Sequence, residues 1–195
     1  MSGRRFTTKP VLFCTRRLLF CALLVGARAA AQAPTGESQV KAMFVYNFLK
    51  FVEWPVDASA GAKDPFVVLI IGEGPTADAT ESFLESRMIG DRPVVVRRTQ
   101  SDPSFTGVRA VFVVERDGKK LHHILDAATA AGVLTIGEGE GFATLGGVIG
   151  LLVENRKVRF DVDTTAAQSA GLRVSSKLLA LTRNVRSSAD RRGAQ

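Results

Sequence analysis

Apolar and polar positions alternate with the periodicity of an α-helix in three parts of the chain. Over residues 38–53 apolar side chains recur every three or four positions, and the Trp54–Pro55 step ends the pattern. The same spacing predicts a weaker helix at 76–86 and another at 119–131. The buried face predicted for the first helix consists of Val40, Met43, Phe44, Phe48, Phe51 and Val52.

Continuous apolar runs alternate with these helices and predict strands. Residues 66–71 are apolar throughout, which is typical of a strand covered on both faces. Similar runs predict further strands at 93–97, 110–114 and 133–136.

The C-terminal third predicts a different arrangement. Residues 148–153 and 157–162 are separated by three residues, a spacing typical of a β-hairpin. Asp163 is placed to cap a helix over 164–170, and Ser175 to begin a last helix. Together the elements predict a three-layer α/β domain, whose mostly parallel sheet ends in a C-terminal antiparallel hairpin.

The N-terminus has the features of a secretory signal peptide. A basic segment precedes ten apolar residues at 18–27, and small residues follow at 29–31. Ten residues are too few to span a bilayer, which needs about 20. We therefore predict a signal peptide at 1–31 and an exported mature protein, with a linker at 32–37, the α/β domain at 38–186 and a disordered tail at 187–195.

The positive net charge belongs mainly to this leader. The formal net charge is +7, and residues 1–31 contain six of the 26 basic residues and no acid. The remaining chain carries 20 basic residues against 19 acidic ones. Because binding to nucleic acid requires clustered cations, we expect no nucleic-acid partner.

Both cysteines, Cys14 and Cys21, also lie in the leader. The predicted mature domain therefore has no disulfide, no cysteine nucleophile and no thiolate metal site.

Two strands end in the same Gly-Glu-Gly sequence, at 72–74 and 137–139. A glycine-rich turn after a parallel strand can cradle phosphate, but a glutamate between the glycines would repel it. Tight turns are the simpler interpretation, although a small-ligand pocket at this edge of the sheet stays open. Glu138 and Glu140 are close together in a glycine-rich loop, and we expect both to be solvated.

His122 and His123 are the only histidines, and adjacent residues of a helix point about 100° apart. They are expected on a solvated helix face rather than at a metal. With no H-E-x-x-H, G-x-S-x-G or Walker A sequence present, we predict no enzyme activity, no metal and no cofactor.

Five aromatic residues fall within eleven positions of the first helix, from Phe44 to Trp54. They are expected in the core or at an interface, where aromatic anchors are enriched. The candidate contacts for a partner or ligand are Asn47, Phe48, Phe51, Glu53, Trp54 and Arg159. Phe48, Phe51 and Trp54 are the core-or-interface candidates, Asn47 and Glu53 are candidates for polar contacts, and Arg159 is expected to meet a partner, a carboxylate or solvent.

The segment QVKAMFVYNFLKFVEWP at 39–55 resembles the opening signature of the YfiR family of periplasmic proteins. The C-terminal half is similar to the same family in order and spacing, and the resemblance covers about residues 37–185. The matching segments are Gly141-Phe142, GGVI at 146–149, VRFDV at 158–162, Ala166-Ala167 and AGLRVSSKLL at 170–179.

The resemblance implies an exported, periplasmic α/β protein without enzyme activity. The best-understood members form homodimers and repress an inner-membrane diguanylate cyclase from the periplasmic side, and an outer-membrane lipoprotein relieves that repression. For this chain it implies binding to a membrane sensor protein and a lower level of cyclic-di-GMP. The disulfide-dependent control of those members is not implied here, because the mature domain has no cysteine. A periplasmic small-ligand sensor is the alternative.

Overall fold

The computed structural model describes residues 35–55, 64–100, 103–114 and 117–187. The predicted signal peptide and residues 188–195 of the predicted tail lie outside this part. The helices are α1 (Gly36–Phe51), α2 (Pro75–Leu84), α3 (Gly118–Ala130), α4 (Thr164–Ser169) and α5 (Ser176–Leu179). The strands are β1 (Val52–Glu53), β2 (Phe66–Ile71), β3 (Met88–Ile89), β4 (Arg92–Thr99), β5 (Val108–Val113), β6 (Leu134–Glu138), β7 (Ile149–Glu154), β8 (Lys157–Asp163), β9 (Arg173–Val174) and β10 (Asn184–Arg186).

Eight of these strands form one mixed sheet in the order β10-β8-β7-β6-β5-β2-β4-β3. The pairs from β7 through β6, β5 and β2 to β4 are parallel, as is β10 with β8. The hairpin β7–β8 and the short pair β3–β4 are antiparallel. The predicted fold class is confirmed: an α/β domain with a mostly parallel sheet and a C-terminal antiparallel hairpin.

Apolar cores on both faces of the sheet create the three layers. Val68 and Ile70 of β2 pack with α1 and α2, whereas Val67 and Leu69 of the same strand pack with α3. All six residues of β2 are buried, as its uninterrupted apolar run predicts.

Helix α1 begins where Thr35 accepts a hydrogen bond from the Ser38 amide, 3.3 Å away. Its buried face differs from the predicted one, since Val40 is 41% exposed and Met43 49% exposed. The helix packs against α2 as well as the sheet. Its buried face therefore includes small and polar side chains of α1, which a pattern of apolar residues does not reveal. The residues buried along α1 are Ser38, Lys41, Ala42, Val45, Phe48 and Leu49.

The predicted caps in the C-terminal third are confirmed. Asp163 accepts a hydrogen bond from the Ala166 amide at 2.8 Å, and Ser175 accepts one from the Leu178 amide at 3.3 Å. The last helix is only four residues long. In the hairpin turn, Asn155 and Arg156 both have positive φ, the conformation of a type I′ turn that suits the twist of paired strands.

Among the described residues, no helix is both long enough and apolar enough to cross a membrane.

Candidate functional site

A buried ion pair joins α1 to the carboxyl end of β6. Lys41 Nζ lies 2.8 Å from Glu138 Oε1, and the two side chains are only 11% and 14% exposed. Lys41 also contacts Glu37, one helical turn earlier, at 2.7 Å. The lysine therefore reaches the sheet edge with two carboxylates around its ammonium group.

The surroundings of Lys41 determine its protonation. Burial lowers the pKa of Lys41, but the hydrogen bonds and charges of Glu138 and Glu37 outweigh burial and raise that pKa above its ordinary 10.5. The ammonium form is therefore fixed at neutral pH.

The glutamate of this pair also reaches the start of α2. Thr76 Oγ1 donates a hydrogen bond to Glu138 Oε1 at 3.0 Å, and Thr76 is the second residue of α2. Gly74 provides no side-chain cap there, and the exposed amides of a helix N-terminus favour a negative charge. The carboxylate of Glu138 thus lies beside the first turn of α2, where a negative charge is favoured. The expectation that Glu138 is solvated is wrong, because α1 and α2 close over it.

The other acidic residues of the two glycine-rich turns are exposed. Glu73 accepts a hydrogen bond from the amide nitrogen of Gln100. Glu140 is 81% exposed, as predicted, and lies 3.6 Å from Arg183 Nη1. Arg183 itself makes its close contacts with Asp161, at 2.6 and 2.9 Å, which raise its pKa and tie β10 to β8.

An open groove of about 670 Å³ lies between the first turns of α1 and the tip of the β7–β8 hairpin. We call it the α1–hairpin groove. Apolar side chains form its floor: Val40 is 41% exposed and Val153 is 43% exposed. Met43, one turn further along α1, extends the apolar surface. Its lining consists of Gly36, Glu37, Val40, Val153, Asn155, Arg156, Lys157 and Val158.

The three aromatic candidates lie at different depths. Phe48 is fully buried, and its ring centroid is 5.0 Å from that of Phe160, so it belongs to the core. Phe51 and Trp54 are partly buried against the same core. The indole Nε1 of Trp54 donates to the carbonyl of Arg109 at 3.2 Å, which fixes the end of the helix to β5.

The three polar candidates are all exposed, but the structure does not bring them together. Asn47 lies on α1, one turn after Met43, and Glu53 lies in β1. Arg159 lies on β8, where side chains alternate between the two faces of the sheet. It therefore points away from the face on which Val158 lines the groove.

The two histidines are the residues that the sequence analysis considers as metal ligands. His122 and His123 are exposed on α3. Across the part of the chain that the structure describes, no group of three or more His, Cys, Asp or Glu side chains is placed to hold a metal ion.

Comparison with known proteins identifies the family. Residues 38–183 match the model of the YfiR/HmsC-like family. The chain belongs to that family. Among the curated proteins, none matches this chain.

A solved structure supports the same fold. A conserved domain protein from Vibrio cholerae O1 biovar El Tor is similar with a TM-score of 0.52 and 10% sequence identity. The match covers 76% of this chain and 60% of the length of the Vibrio protein. At this identity the likeness extends to the fold alone.

The two sequence segments that resemble the YfiR family meet in space. Val52 and Glu53 pair with Val174 and Arg173 in the small sheet β1–β9. The amide of Ser175 donates to the carbonyl of Phe51 at 3.0 Å. The family signature therefore describes one structural unit, in which the end of α1 is held by the chain just before α5.

The sequence contained one overlooked signal for the buried ion pair. Lys41 lies four positions before Val45 and seven before Phe48, so it shares the buried face of α1. A charged residue on such a face needs a partner, because an unpaired buried charge is costly. Nothing local identifies that partner as Glu138, which lies 97 residues away along the chain.

Proposed function

We propose that this protein is an exported, periplasmic regulator that binds the periplasmic part of an inner-membrane diguanylate cyclase and lowers cyclic-di-GMP. Family membership supports the class of function. We place the binding surface at the α1–hairpin groove. Its apolar floor is partly exposed beside charged side chains. Apolar surface with a charged rim is typical of protein interfaces.

Binding at the groove regulates only if the partner has two conformations. A bound protein shifts such an equilibrium by the difference between its affinities for the two states. In our proposal the regulator binds the inactive conformation of the cyclase more tightly than the active one. The membrane-spanning part of the cyclase carries that conformation to its cytoplasmic domain.

The remaining roles follow from the family resemblance alone. We propose that an outer-membrane lipoprotein competes for the regulator and that the regulator forms homodimers. The proposal includes no catalytic step, cofactor or nucleic acid. Asn47, at the outer surface of α1, is the polar candidate nearest in sequence to Met43, and Arg159 would serve a contact on the opposite face of the hairpin.

A small-ligand sensor is the second candidate, and the volume of the groove favours it. A space of about 670 Å³ falls in the range of small-molecule sites, about 300–1,000 Å³. A metabolite screen by thermal unfolding tests this candidate, because a ligand specific for the native state raises the melting temperature. A shift that Val153→Glu abolishes would support it, and no shift with any metabolite would count against it.

The proposed regulatory function is tested by crosslinking in the host periplasm. Tagged protein is crosslinked in living cells, and captured proteins are identified by mass spectrometry. We expect an inner-membrane protein with a cytoplasmic diguanylate cyclase domain, and a deletion strain with raised cyclic-di-GMP.

Matched variants locate the surface. Val153→Glu places a charge in the groove floor, whereas Leu145→Glu places one at a similarly exposed apolar residue, 41% against 43%, outside the groove lining. We expect only Val153→Glu to lose the crosslink and to leave cyclic-di-GMP high in the complemented deletion strain. Equal loss in both variants contradicts the groove, and capture of no membrane protein contradicts the function.

A further inference from the structure

Strand β4 has an unpaired edge over most of its length. On one side it pairs with β2 from Val94 to Thr99. On the other side, β3 pairs only with Arg92 and Pro93, and the Val94 amide donates to the carbonyl of Arg87 at 2.9 Å. Beyond Val94, no described strand pairs with this outer edge.

The backbone groups on that edge are placed to accept another strand. Because successive residues of a strand direct their N–H and C=O groups to opposite sides, the outward amide of Val94 places those of Val96 and Arg98 outward as well. Such a row of groups is a template for strand addition.

Two of the three arginines of β4, Arg92 and Arg97, form no ion pair with any residue that the structure describes. Arg97 is exposed, and no ion pair to it occurs within the described ranges. Arg92 donates to the backbone carbonyls of Asp64 and Pro65. Arg98, in contrast, contacts Asp78 at 2.7 Å and Glu81 at 3.0 Å. Beside Arg97, Val95 is 40% exposed and offers an apolar contact.

We propose that the outer edge of β4 binds an extended, acidic segment of a partner protein by adding it to the sheet as a ninth strand. Main-chain hydrogen bonds to Val96 and Arg98 supply the pairing, and acidic side chains beside Arg97 supply the selectivity. A second copy of this chain fits the edge less well, because it would bring a second set of arginines against the first. This surface is separate from the α1–hairpin groove, so the proposal goes beyond the proposed function.

Peptide probes test the edge directly. The periplasmic protein is titrated, by fluorescence anisotropy, against end-capped labelled peptides Thr-Glu-Val-Glu-Thr-Val and Thr-Lys-Val-Lys-Thr-Val. We expect the acidic peptide to bind about five-fold tighter, since exposed ion pairs are individually modest. Arg97→Glu should reverse that preference, whereas Arg159→Glu, the same charge change on β8, should not alter it.

The backbone contribution is tested on both partners. Val96→Pro removes an outward N–H and should abolish binding; its melting temperature shows whether it is folded. If it is not folded, an acidic peptide N-methylated at alternate residues makes the same test without changing the protein, and should not bind.

Four outcomes overturn the proposal. They are equal binding of both peptides, equal effects of Arg97→Glu and Arg159→Glu, full binding by the N-methylated peptide, and a dimer in sedimentation that Val96→Pro dissociates, which would assign the edge to a second copy. Val153→Glu should bind the acidic peptide normally, so failure at the groove and failure at β4 are distinguishable.

Discussion

The two Gly-Glu-Gly turns have the same sequence and both follow a parallel strand, but their glutamates have different surroundings. Glu73, after β2, is exposed and hydrogen-bonded to Gln100. Glu138, at the end of β6, is largely buried between α1 and the start of α2. The difference arises entirely from what the rest of the chain places against each turn.

The first glycines of the two turns are also needed for different reasons. Gly72 and Gly74 have φ of 101° and 129°, a region that side chains avoid. Gly137 is not among the residues with positive φ; instead, a Cβ there would lie 2.1 Å from the ring of Phe142. Gly72 is therefore needed for its backbone conformation and Gly137 for space, whereas the second glycines of the two turns are alike, since Gly139 has a φ of 107°.

This comparison separates local from tertiary causes. A motif of three residues fixes a turn, but it does not fix whether the turn is a solvated surface or part of a buried cluster. Substitutions in the two turns should therefore have effects of different size and cause.

The largest effect is expected for Gly137→Ala. The new methyl group would overlap the Phe142 ring, which also lies 2.1 Å from a Cβ on Gly147, so the ring has no room to move aside. We expect a loss of about 3 kcal/mol in the free energy of unfolding, measured by urea denaturation. In the background of Phe142→Leu the same change should cost clearly less, and strictly additive costs would show that the clash is not the cause.

A smaller effect is expected for Gly74→Ala. No atom lies within 4 Å of a Cβ there, so the cost is backbone strain alone, about 2 kcal/mol at φ 129° and ψ 174°. Gly74→Asn is the control. Asparagine tolerates the left-handed helical region but not this one, so it should cost as much as alanine. A nearly neutral Gly74→Asn would show that the turn adopts another conformation in solution.

Much of the fold could be predicted because its causes are local. The apolar run of β2, the spacing of the β7–β8 hairpin and the caps Asp163 and Ser175 all act over a few residues. The sequence does not predict the strands β1, β3, β9 and β10, since two or three residues are too few to show any periodicity.

The candidate sites could be predicted only in part, because they depend on pairings between distant segments. Phe48 lies in the core, which is one of the two alternatives that the sequence predicts for it. Val40 and Met43 are exposed, although apolar periodicity places them on the buried face. The groove exists because α1 lies beside a hairpin that begins more than 100 residues later. The contact roles of Asn47, Phe51, Glu53, Trp54 and Arg159 stay predictions.

The two glutamates themselves give the third comparison. Glu138→Gln removes the charge opposite Lys41 but leaves Glu37 in contact, so we expect a loss of about 1.5 kcal/mol, less than for a fully isolated buried charge. Glu73→Gln keeps an exposed side chain exposed and should change stability by less than about 0.5 kcal/mol. Chemical denaturation of both variants at pH 7 makes the measurement. Equal losses would contradict the buried placement of Glu138.

The smallest effect is a pH dependence that belongs to Lys41. Its pKa is raised above 10.5 in the folded state, so its stabilising contribution is complete below the unfolded-state pKa and is lost as the pH rises through the folded-state pKa. The difference in unfolding free energy between the wild type and Lys41→Met, about 1 kcal/mol, should therefore be constant from pH 7 to about 10 and shrink at higher pH. Lys50→Met, at an exposed position of the same helix, controls for removing a lysine from α1. A difference that instead grows as the pH approaches about 10.5 would mean that burial outweighs the two carboxylates and lowers the pKa of Lys41, and Glu138 would then not be its effective partner.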